Sequence, residues 1–276
     1  VSSILPSLTV EEAIQTTQIH SILGLLKSSS GLMNIRPFRS PHHSISDVGL
    51  IGGGSNPRPG EVSLAHNGVL FLDEIPEFKR NVLEVLRQPL EDGVITIARA
   101  VGAFTYPARF MLVAAMNPCP CGFLNDPLHE CICTVQQIVR YKGKISGPLL
   151  DRIDIQIEVK ALKYADIENN IKQELSIDIR KRVNIARLFC LKRLRGTGVF
   201  SNSAMSKKLI NKFCVLNSES KLILKNAMEN LGLSVRAIDK ILKVSRTIAD
   251  LNQSDKIKSE YVSEAIQYRI LDKEGY

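Results

Sequence analysis

The chain has 276 residues, of which 44% are hydrophobic and 23% are charged, and its formal net charge is +8. This composition is typical of a globular protein and excludes a largely disordered chain, a collagen-like chain and a disulfide scaffold. The longest apolar run, Phe110–Met116, has seven residues, whereas a membrane-spanning helix needs about 20. Because no signal-peptide pattern opens the chain, we expect a cytoplasmic protein that does not associate with membranes.

The charge is unevenly distributed along the chain. Residues 1–159 hold 13 Lys and Arg against 15 Asp and Glu, a net charge of −2, while residues 160–276 hold 23 against 13, a net charge of +10. A basic second half favours nucleic acid or another polyanion as a partner. A solvated helical surface rich in lysine is the alternative interpretation.

The first 160 residues mix strand and helix patterns. Thr9 and Glu12 have the spacing of a capping box, so a helix is predicted to begin after Thr9. The irregular stretch 36–60 is long enough to indicate a functional loop. The remaining elements are predicted as a buried strand at 68–72, a helix at 77–90, a hairpin at 93–109 and strands at 110–116 and 153–159.

After about residue 160 the pattern changes, since neither proline nor alternating apolar residues occur there. Apolar residues recur instead at helical spacing. We therefore predict an α/β domain over residues 1–160 and an all-α domain over residues 161–276. The helices are predicted at 164–173, 175–195, 203–216, 218–230, 234–251 and 259–271.

A possible catalytic motif follows the predicted strand at 68–72. The strand ends in Asp73 and Glu74, and a buried strand followed by two carboxylates is the Walker B arrangement of ATPases. In that arrangement the aspartate helps to hold Mg²⁺ at the nucleotide phosphates and the glutamate polarises the attacking water. A strand that simply ends in an acidic turn is the alternative.

Three further polar residues strengthen the ATPase interpretation. Asn117 follows the next apolar strand, where an amide can orient water or touch the γ-phosphate, and it matches the sensor 1 position of AAA+ ATPases. Arg152 stands just before a predicted strand and looks like an arginine finger, which is an arginine that contacts the γ-phosphate of a nucleotide bound to a neighbouring subunit. Arg236 lies in the first turn of a predicted helix and matches sensor 2.

Several longer segments carry a family pattern. These segments are Arg36–Ser44, Gly60–Glu74, Tyr106–Phe110, the segment from Asn117, and Glu264–Arg269. They closely resemble the ComM/YifB subfamily of magnesium-chelatase-like AAA+ ATPases, and the resemblance covers nearly the whole chain. It implies an AAA+ core followed by a helical lid and C-terminal domain, with ATP and Mg²⁺ as cofactors and a homo-oligomeric, hexameric ring.

The resemblance also implies DNA as a partner, because ComM-type members are similar to ring-forming helicases that act on recombination intermediates during natural transformation. By the same resemblance the hairpin at 93–109 is aimed at DNA, with Arg99 toward its tip. Arg180, Lys181 and Arg187 belong to a basic run over 180–195 that contains no acid, and such a run suits phosphate binding. Solvated turn and helix residues are the alternatives.

One departure from the family concerns the nucleotide-binding loop. The chain contains no G-x-x-x-x-G-K-[ST] sequence, and the glycines at 52–54 are followed by Ser-Asn-Pro. We therefore expect the chain to begin after that loop and not to turn over ATP by itself. Two rival interpretations remain: an inactive split-gene remnant that only binds DNA or partners, and a true magnesium-chelatase motor subunit.

Four of the six cysteines form a candidate metal site. Cys119, Cys121, Cys131 and Cys133 make two close C-x-C pairs, and four thiolates suit a structural, tetrahedral Zn²⁺. Reduced thiols in a loop are the alternative, and His129 is a possible substitute ligand. Cys190 and Cys214 lie in apolar helical patterns and are predicted to be core thiols.

The adjacent His42 and His43 have no role that the sequence can derive. The sequence leaves open whether they contact nucleotide, DNA or a neighbouring subunit, or only pack within the fold. Arg36, Arg39 and Arg58 add positive charge to the same region.

Overall fold

The computed structural model describes residues 1–26, 31–54, 57–99, 102–159 and 174–269. The chain divides into two compact units, Val1–Arg152 and Ile153–Gly275. The helix predicted at 164–173 lies outside the described residues.

The first unit has seven described helices and seven strands. Helices α1 to α7 cover Val10–Ile22, Asp47–Ile51, Glu61–Leu64, Arg80–Glu84, Arg87–Asp92, Val135–Lys142 and Gly147–Leu150. Strands β1 to β7 cover Phe38–Arg39, Gly52–Gly53, Arg58–Pro59, Val69–Leu72, Val94–Arg99, Gly102–Pro107 and Met111–Ala114. Short 3₁₀ turns lie at Ser2–Ile4 and Ile75–Glu77.

A three-stranded parallel sheet in the order β1-β4-β7 forms the centre of the first unit. Val69, Leu70 and Leu72 of β4 are completely buried, as expected for a central strand covered on both faces. The predictions of a buried strand at 68–72 and of an α/β fold are thus confirmed, and the strand predicted at 110–116 is β7.

The predicted hairpin at 93–109 is also confirmed. Strands β5 and β6 pair antiparallel, from Val94 opposite Pro107 to Arg99 opposite Gly102. The residues between Arg99 and Gly102, and the side chain of Arg99, lie outside the described part of the structure.

The start of α1 is the capping box that its sequence predicts. The Thr9 N–H donates to Glu12 Oε2 at 2.9 Å, and the Glu12 N–H donates to Thr9 Oγ1 at 3.2 Å. These two bonds satisfy backbone donors that have no partner inside the helix.

The prediction of one continuous helix at 77–90 is wrong. Two short helices, α4 and α5, occupy this region after a 3₁₀ turn. Pro89 explains the break, because it has no N–H to donate to the carbonyl of Val85 and its ring crowds that carbonyl. The chain is therefore interrupted at Val85 and Leu86, between Glu84 and Arg87.

The second unit is helical in its described part. Helices α8 to α12 cover Ser176–Leu194, Lys207–Phe213, Ser218–Leu231, Val235–Leu251 and Ser259–Gln267, and a 3₁₀ turn covers Asn202–Ala204. Cys190 and Cys214 are each 6% exposed within the core of this unit, so the prediction of core thiols is confirmed. The helix predicted at 203–216 is shorter than expected, since a 3₁₀ turn replaces its beginning.

The strand predicted at 153–159 is wrong. The segment is irregular, and Ile157 and Val159 are exposed. The Gln156 N–H donates to Tyr268 O at 2.8 Å, but no strand among the described residues pairs with the segment. Alternation alone cannot form a strand, because a ladder also needs a neighbouring strand.

Candidate functional site

The candidate catalytic residues gather at one edge of the parallel sheet. Asp73 and Glu74 follow β4, and Asn117 lies three residues beyond β7. The strands run in register, with Leu72 opposite Ala114, so their carboxyl ends meet at the edge where open α/β sheets bind ligands. All three side chains are exposed there. The structure therefore brings together the predicted Walker B and sensor 1 residues.

Glu74 has an unusual backbone conformation. Its φ of 50° and ψ of 47° lie in the left-handed region, which is uncommon for a residue other than glycine. The conformation costs on the order of 1 kcal/mol or more and is typical of functional sites. The Glu74 N–H donates to Asp73 Oδ1 at 3.0 Å, so the sharp turn is partly stabilised by its neighbour.

The histidine pair, whose role the sequence leaves open, lies at the same edge. His43 Nδ1 is 3.7 Å from Glu74 Oε2. The rings of His42 and His43 are 4.0 Å apart, and His43 also makes an edge contact with Phe78. His42 turns to Ser44, whose hydroxyl is 2.8 Å from His42 Nδ1. Only spatial proximity reveals that His43 faces the candidate catalytic carboxylate.

The nearby arginines have internal partners. Arg36 donates to the carbonyls of Pro6 and Asn67, both at 2.7 Å, and to Glu12. Arg39 makes a two-point contact with Glu61 at 2.6 and 2.7 Å, and this hydrogen bonding raises the pKa of Arg39. Both arginines thus fix the segment that carries the histidines.

Arg152, the predicted arginine finger, is bound within its own unit. Its guanidinium pairs with Glu91 of α5 and donates to Pro148 O at 2.7 Å. The side chain is only 14% exposed and lines a cavity of about 530 Å³ together with Arg87 and Glu91. The residues that hold Arg152 are therefore those of α5 and α7.

Arg236 has the position in its helix that the sequence predicts. It is the second residue of α11, and it is exposed. Ser234 caps the helix, with its Oγ accepting from the Ala237 N–H at 3.2 Å. Arg236 belongs to the second unit, whereas the sheet edge belongs to the first.

The candidate DNA-binding residues lie on two separate elements. Arg99 is in the last pair of the hairpin β5-β6. On α8, Arg180 and Lys181 are exposed and Arg187 is half-buried. Lys181 pairs with Asp178 at 2.9 Å on the surface, where such pairs contribute little and leave the cation accessible.

The four clustered cysteines have the geometry of a metal site. Their Sγ atoms lie within 4.8 Å of one another, and Cys119 Sγ is 3.4 and 3.7 Å from those of Cys121 and Cys131. A tetrahedral Zn²⁺ with Zn–S bonds of 2.3 Å requires Sγ separations of about 3.8 Å. The Phe123 N–H lowers the pKa of Cys121 to about 6. The four thiols therefore fit a tetrahedral ion.

His129 is not part of this cluster. Its Nδ1 is 3.3 Å from Asp126 Oδ1, and its ring lies against Phe123, with 4.8 Å between centroids. His129, the possible substitute ligand, is thus directed to the Asp126 carboxylate beside the cysteines.

The sequence analysis misses a buried ionic cluster in the second unit. Asp250, which is 1% exposed, accepts from Arg193, Arg246 and Asn202. Arg246 is also 1% exposed and donates to the Asp255 carbonyl at 2.8 Å. Arg193 therefore does not belong to the solvated basic run in which the sequence places it. Charged residues spaced i, i+4 on the apolar side of the predicted helix are the available signal.

A buried histidine, His66, is also missed. Its Nδ1 accepts the Arg109 N–H at 3.0 Å, and its Nε2 is 3.2 Å from Gln15 Oε1. Burial, with the charge of Arg109 as the second cause, lowers the pKa of His66 to about 4. The imidazole is therefore neutral at physiological pH and links the start of β4 to α1 and β7.

Among the described residues, no helix combines the length and the apolar character that crossing a bilayer requires.

Comparisons with known proteins identify the family. The protein-family model described as magnesium chelatase, subunit ChlI, matches residues 1–167. A second family model, described as the C-terminal region of ChlI, matches residues 173–269. The uncharacterized protein YifB of Escherichia coli is 43% identical over 274 residues, covering 99% of this chain and 53% of YifB. The competence protein ComM of Haemophilus influenzae is 45% identical, covering 98% of this chain and 52% of ComM.

A more distant relative is the DNA replication licensing factor Mcm6 of Drosophila melanogaster, which is 24% identical over 78% of this chain and 26% of its own length. The chain spans about half the length of YifB and ComM. Two family models and relatives above 40% identity, together with the parallel sheet and its helical second unit, lead to one assignment. The chain belongs to the magnesium-chelatase-like AAA+ proteins and, within them, to the ComM/YifB subfamily.

Proposed function

We propose that this chain is part of a ComM-type AAA+ ATPase subunit that processes DNA, in the manner of a branch-migrating helicase. The observation that carries the proposal is the meeting of Asp73, Glu74 and Asn117 at the carboxyl edge of a parallel sheet. The similarity to a competence protein and to a DNA replication licensing factor supports this proposal. The subunit acts in the cytoplasm.

The residues at the sheet edge have distinct tasks in this proposal. Asp73 helps to hold Mg²⁺, which supplies positive charge against the nucleotide phosphates when it is bound. Glu74 accepts a hydrogen bond from the attacking water and orients it, and Asn117 supports that water or the γ-phosphate. Arg236 contacts the nucleotide from the helical lid.

Nucleotide binding further requires a phosphate-binding loop, because backbone N–H groups, a helix N-terminus and a lysine together attract the phosphates. No such motif occurs in the 276 residues. We propose that a segment outside this sequence supplies it. Strand β7 is an edge strand of the described sheet, and its Met111 is 47% exposed, which supports an additional strand beside it.

Oligomerisation and DNA contact complete the proposal. Subunits form a hexameric ring in which Arg152 reaches the nucleotide of a neighbour. Arg99 of the hairpin and Arg180, Lys181 and Arg187 of α8 contact DNA phosphates. The exposure of Arg180 and Lys181 supports this role.

The four-cysteine cluster holds a structural Zn²⁺ in this proposal. Cys119, Cys121, Cys131 and Cys133 would occupy all four positions of a tetrahedral ion, so the ion has no open position for chemistry. The Sγ separations support this assignment.

The test compares ATP hydrolysis and nucleotide affinity of the 276-residue chain with those of the same chain extended by its natural upstream segment. We expect hydrolysis only in the extended protein, and Glu74→Gln should abolish it while preserving nucleotide binding. Glu77→Gln is the matched control, because Glu77 is an exposed carboxylate three residues later that pairs with Lys144. Robust hydrolysis by the short chain would contradict the requirement for the missing loop.

A second candidate is a non-enzymatic module that binds DNA or a partner. It is favoured by the engagement of Arg152 with Glu91, which holds the candidate arginine finger within its own unit. An extended protein that binds DNA but neither binds nor hydrolyses ATP would support this candidate over the first.

A further inference from the structure

The four-cysteine cluster is joined to the candidate catalytic edge by a very short connection. Cys119 is two residues beyond Asn117, and Pro118 and Pro120 stand on either side of it. The proline rings fix their own φ angles near −65° and restrict the residues before them. Cys119 is completely buried. The orientation of Cys119 is therefore transmitted to Asn117 with little freedom.

The second cysteine pair is connected to the region of Asn117 through helix α6. Cys133 directly precedes Thr134, which begins α6 with a capping box: the Thr134 N–H donates to Gln137 Oε1 at 2.8 Å, and the Gln137 N–H donates to Thr134 Oγ1 at 3.3 Å. Near the end of α6, Tyr141 is 7% exposed. Burial raises the pKa of the Tyr141 hydroxyl, and the backbone of Asn117 acts against this rise, so the end of α6 lies beside Asn117. The chain from Asn117 through the cysteines and α6 thus forms a closed circuit.

The loop between the cysteine pairs cannot be held by apolar burial. Leu128 is 74% exposed and Ile132 is 84% exposed. Asp126 caps two backbone N–H groups, those of Leu128 and His129, at 2.7 and 2.9 Å, which orders only the local turn. A cross-link through the sulfurs is therefore the interaction able to close the circuit, as in small metal-stabilised folds.

We propose that the four-cysteine loop is a metal-dependent clamp that positions Asn117 at the carboxyl edge of the sheet. Zn²⁺ bound by the cysteines fixes both ends of the loop, and Tyr141 then holds the Asn117 backbone from α6. The catalytic meaning of the clamp depends on the proposed ATPase function, whereas the clamp itself does not. Asn117 is the residue that contacts the reacting groups, and Tyr141 and the cysteines are positioning residues.

The experiment measures hydrogen exchange at the Asn117 amide in the 276-residue chain by NMR, with Zn²⁺ bound and after its removal by a chelator. We expect one Zn²⁺ per chain, and removal of the ion should speed exchange at Asn117 and through α6 by about tenfold or more. Exchange in the second unit should not change. Cys131→Ser should lose the ion and reproduce the effect, while Cys190→Ser, which alters a buried thiol outside the cluster, should do neither.

A second variant separates metal binding from positioning. Tyr141→Phe should keep the Zn²⁺ yet speed exchange at Asn117, since the ring remains and only the hydroxyl is removed. Unchanged Asn117 exchange after metal removal, or a chain that binds no Zn²⁺, would overturn the clamp. If the clamp is present but the extended protein does not hydrolyse ATP, the proposed function fails and the clamp stands. If hydrolysis proceeds equally well without the ion, the clamp has no catalytic role.

Discussion

His66 shows how one side chain can join three elements when it stays uncharged. Its Nδ1 lone pair accepts a backbone N–H from Arg109, so the ring proton lies on Nε2, which faces Gln15. Protonation would place a second proton against a donor and a charge in a site that is 2% exposed. The folded state therefore resists protonation of His66.

This resistance makes stability depend on pH. The folded pKa of about 4 lies below the ordinary value of about 6.5, so the contribution is complete above pH 6.5 and is lost as the pH falls toward 4. The full loss is about 3 kcal/mol. Urea unfolding between pH 7 and 4 should show this decline in the wild type and much less of it in His66→Gln. His129→Gln, at an exposed histidine, should behave like the wild type, and identical pH profiles for His66→Gln and the wild type would contradict the prediction.

His43 is the second residue whose environment predicts a measurable effect. Its ring stands 3.7 Å from the Glu74 carboxylate and limits the positions that this side chain can take. In a form of the protein that hydrolyses ATP, His43→Ala should lower kcat by roughly tenfold and leave nucleotide affinity unchanged. His42→Ala is the matched control, because His42 bonds to Ser44 instead. Equal losses in both variants would show that the pair acts through packing and not through Glu74.

At the scale of elements, the features that the sequence predicts well are those encoded locally. The α1 capping box and the hairpin each depend on residues close in the chain, and β4 is recognisable from its own continuous apolar run although its partner strands are distant. The strand expected at 153–159 fails because pairing depends on a distant neighbour, and the helix at 77–90 divides because of a single proline. Asp73, Glu74 and Asn117 are predictable for a related reason, since parallel strands end at one edge.

Side-chain partners across the fold are not predictable in this way. His43 contacts Glu74, and Arg152 contacts Glu91. Their positions along the chain do not indicate either contact. The same holds for Asp250, which lies in a helix with many charges. Whether a charged residue faces solvent or a buried partner is decided by the packing of several helices.

The buried cluster around Asp250 gives a prediction for the stability of the helical unit. Asp250→Ala would leave Arg246, which is 1% exposed, without its carboxylate partner, and breaking a buried pair in this way costs about 3–5 kcal/mol. Asp239→Ala is the control on the same helix, because its pairing with Lys207 lies at the surface and is worth at most about 1 kcal/mol. Thermal and urea unfolding of both variants would test this difference. Equal destabilisation by the two changes would contradict it.

At the scale of the whole molecule, the two halves of the chain differ in charge by twelve units, from −2 to +10. This asymmetry favours the second half as the part that would attract a polyanion. If the exposed cations of α8 contact DNA phosphates, the logarithm of the duplex-binding constant should fall linearly with the logarithm of the salt concentration. The slope should be about −0.9 for each phosphate contacted.

The double variant Arg180→Ala and Lys181→Ala should reduce that slope by about 2 and weaken binding to all sequences alike. Lys225→Ala with Lys258→Ala removes the same charge from other exposed positions and should change the slope less. Filter binding over a salt series measures both. Absence of binding at low salt, or equal effects of the two double variants, would refute the assignment to α8.

The pairing of Arg152 with Glu91 has a consequence for any assembly of this subunit. If Arg152 serves the nucleotide of a neighbour in the proposed ring, the Nη2 group that pairs with Glu91 exchanges that carboxylate for the phosphates. A single negative charge offers little advantage over the carboxylate that is lost, whereas a triphosphate offers several. In the proposed ring this ion pair would favour transfer of the arginine only to a neighbour that holds nucleotide, so contact between subunits would follow nucleotide occupancy.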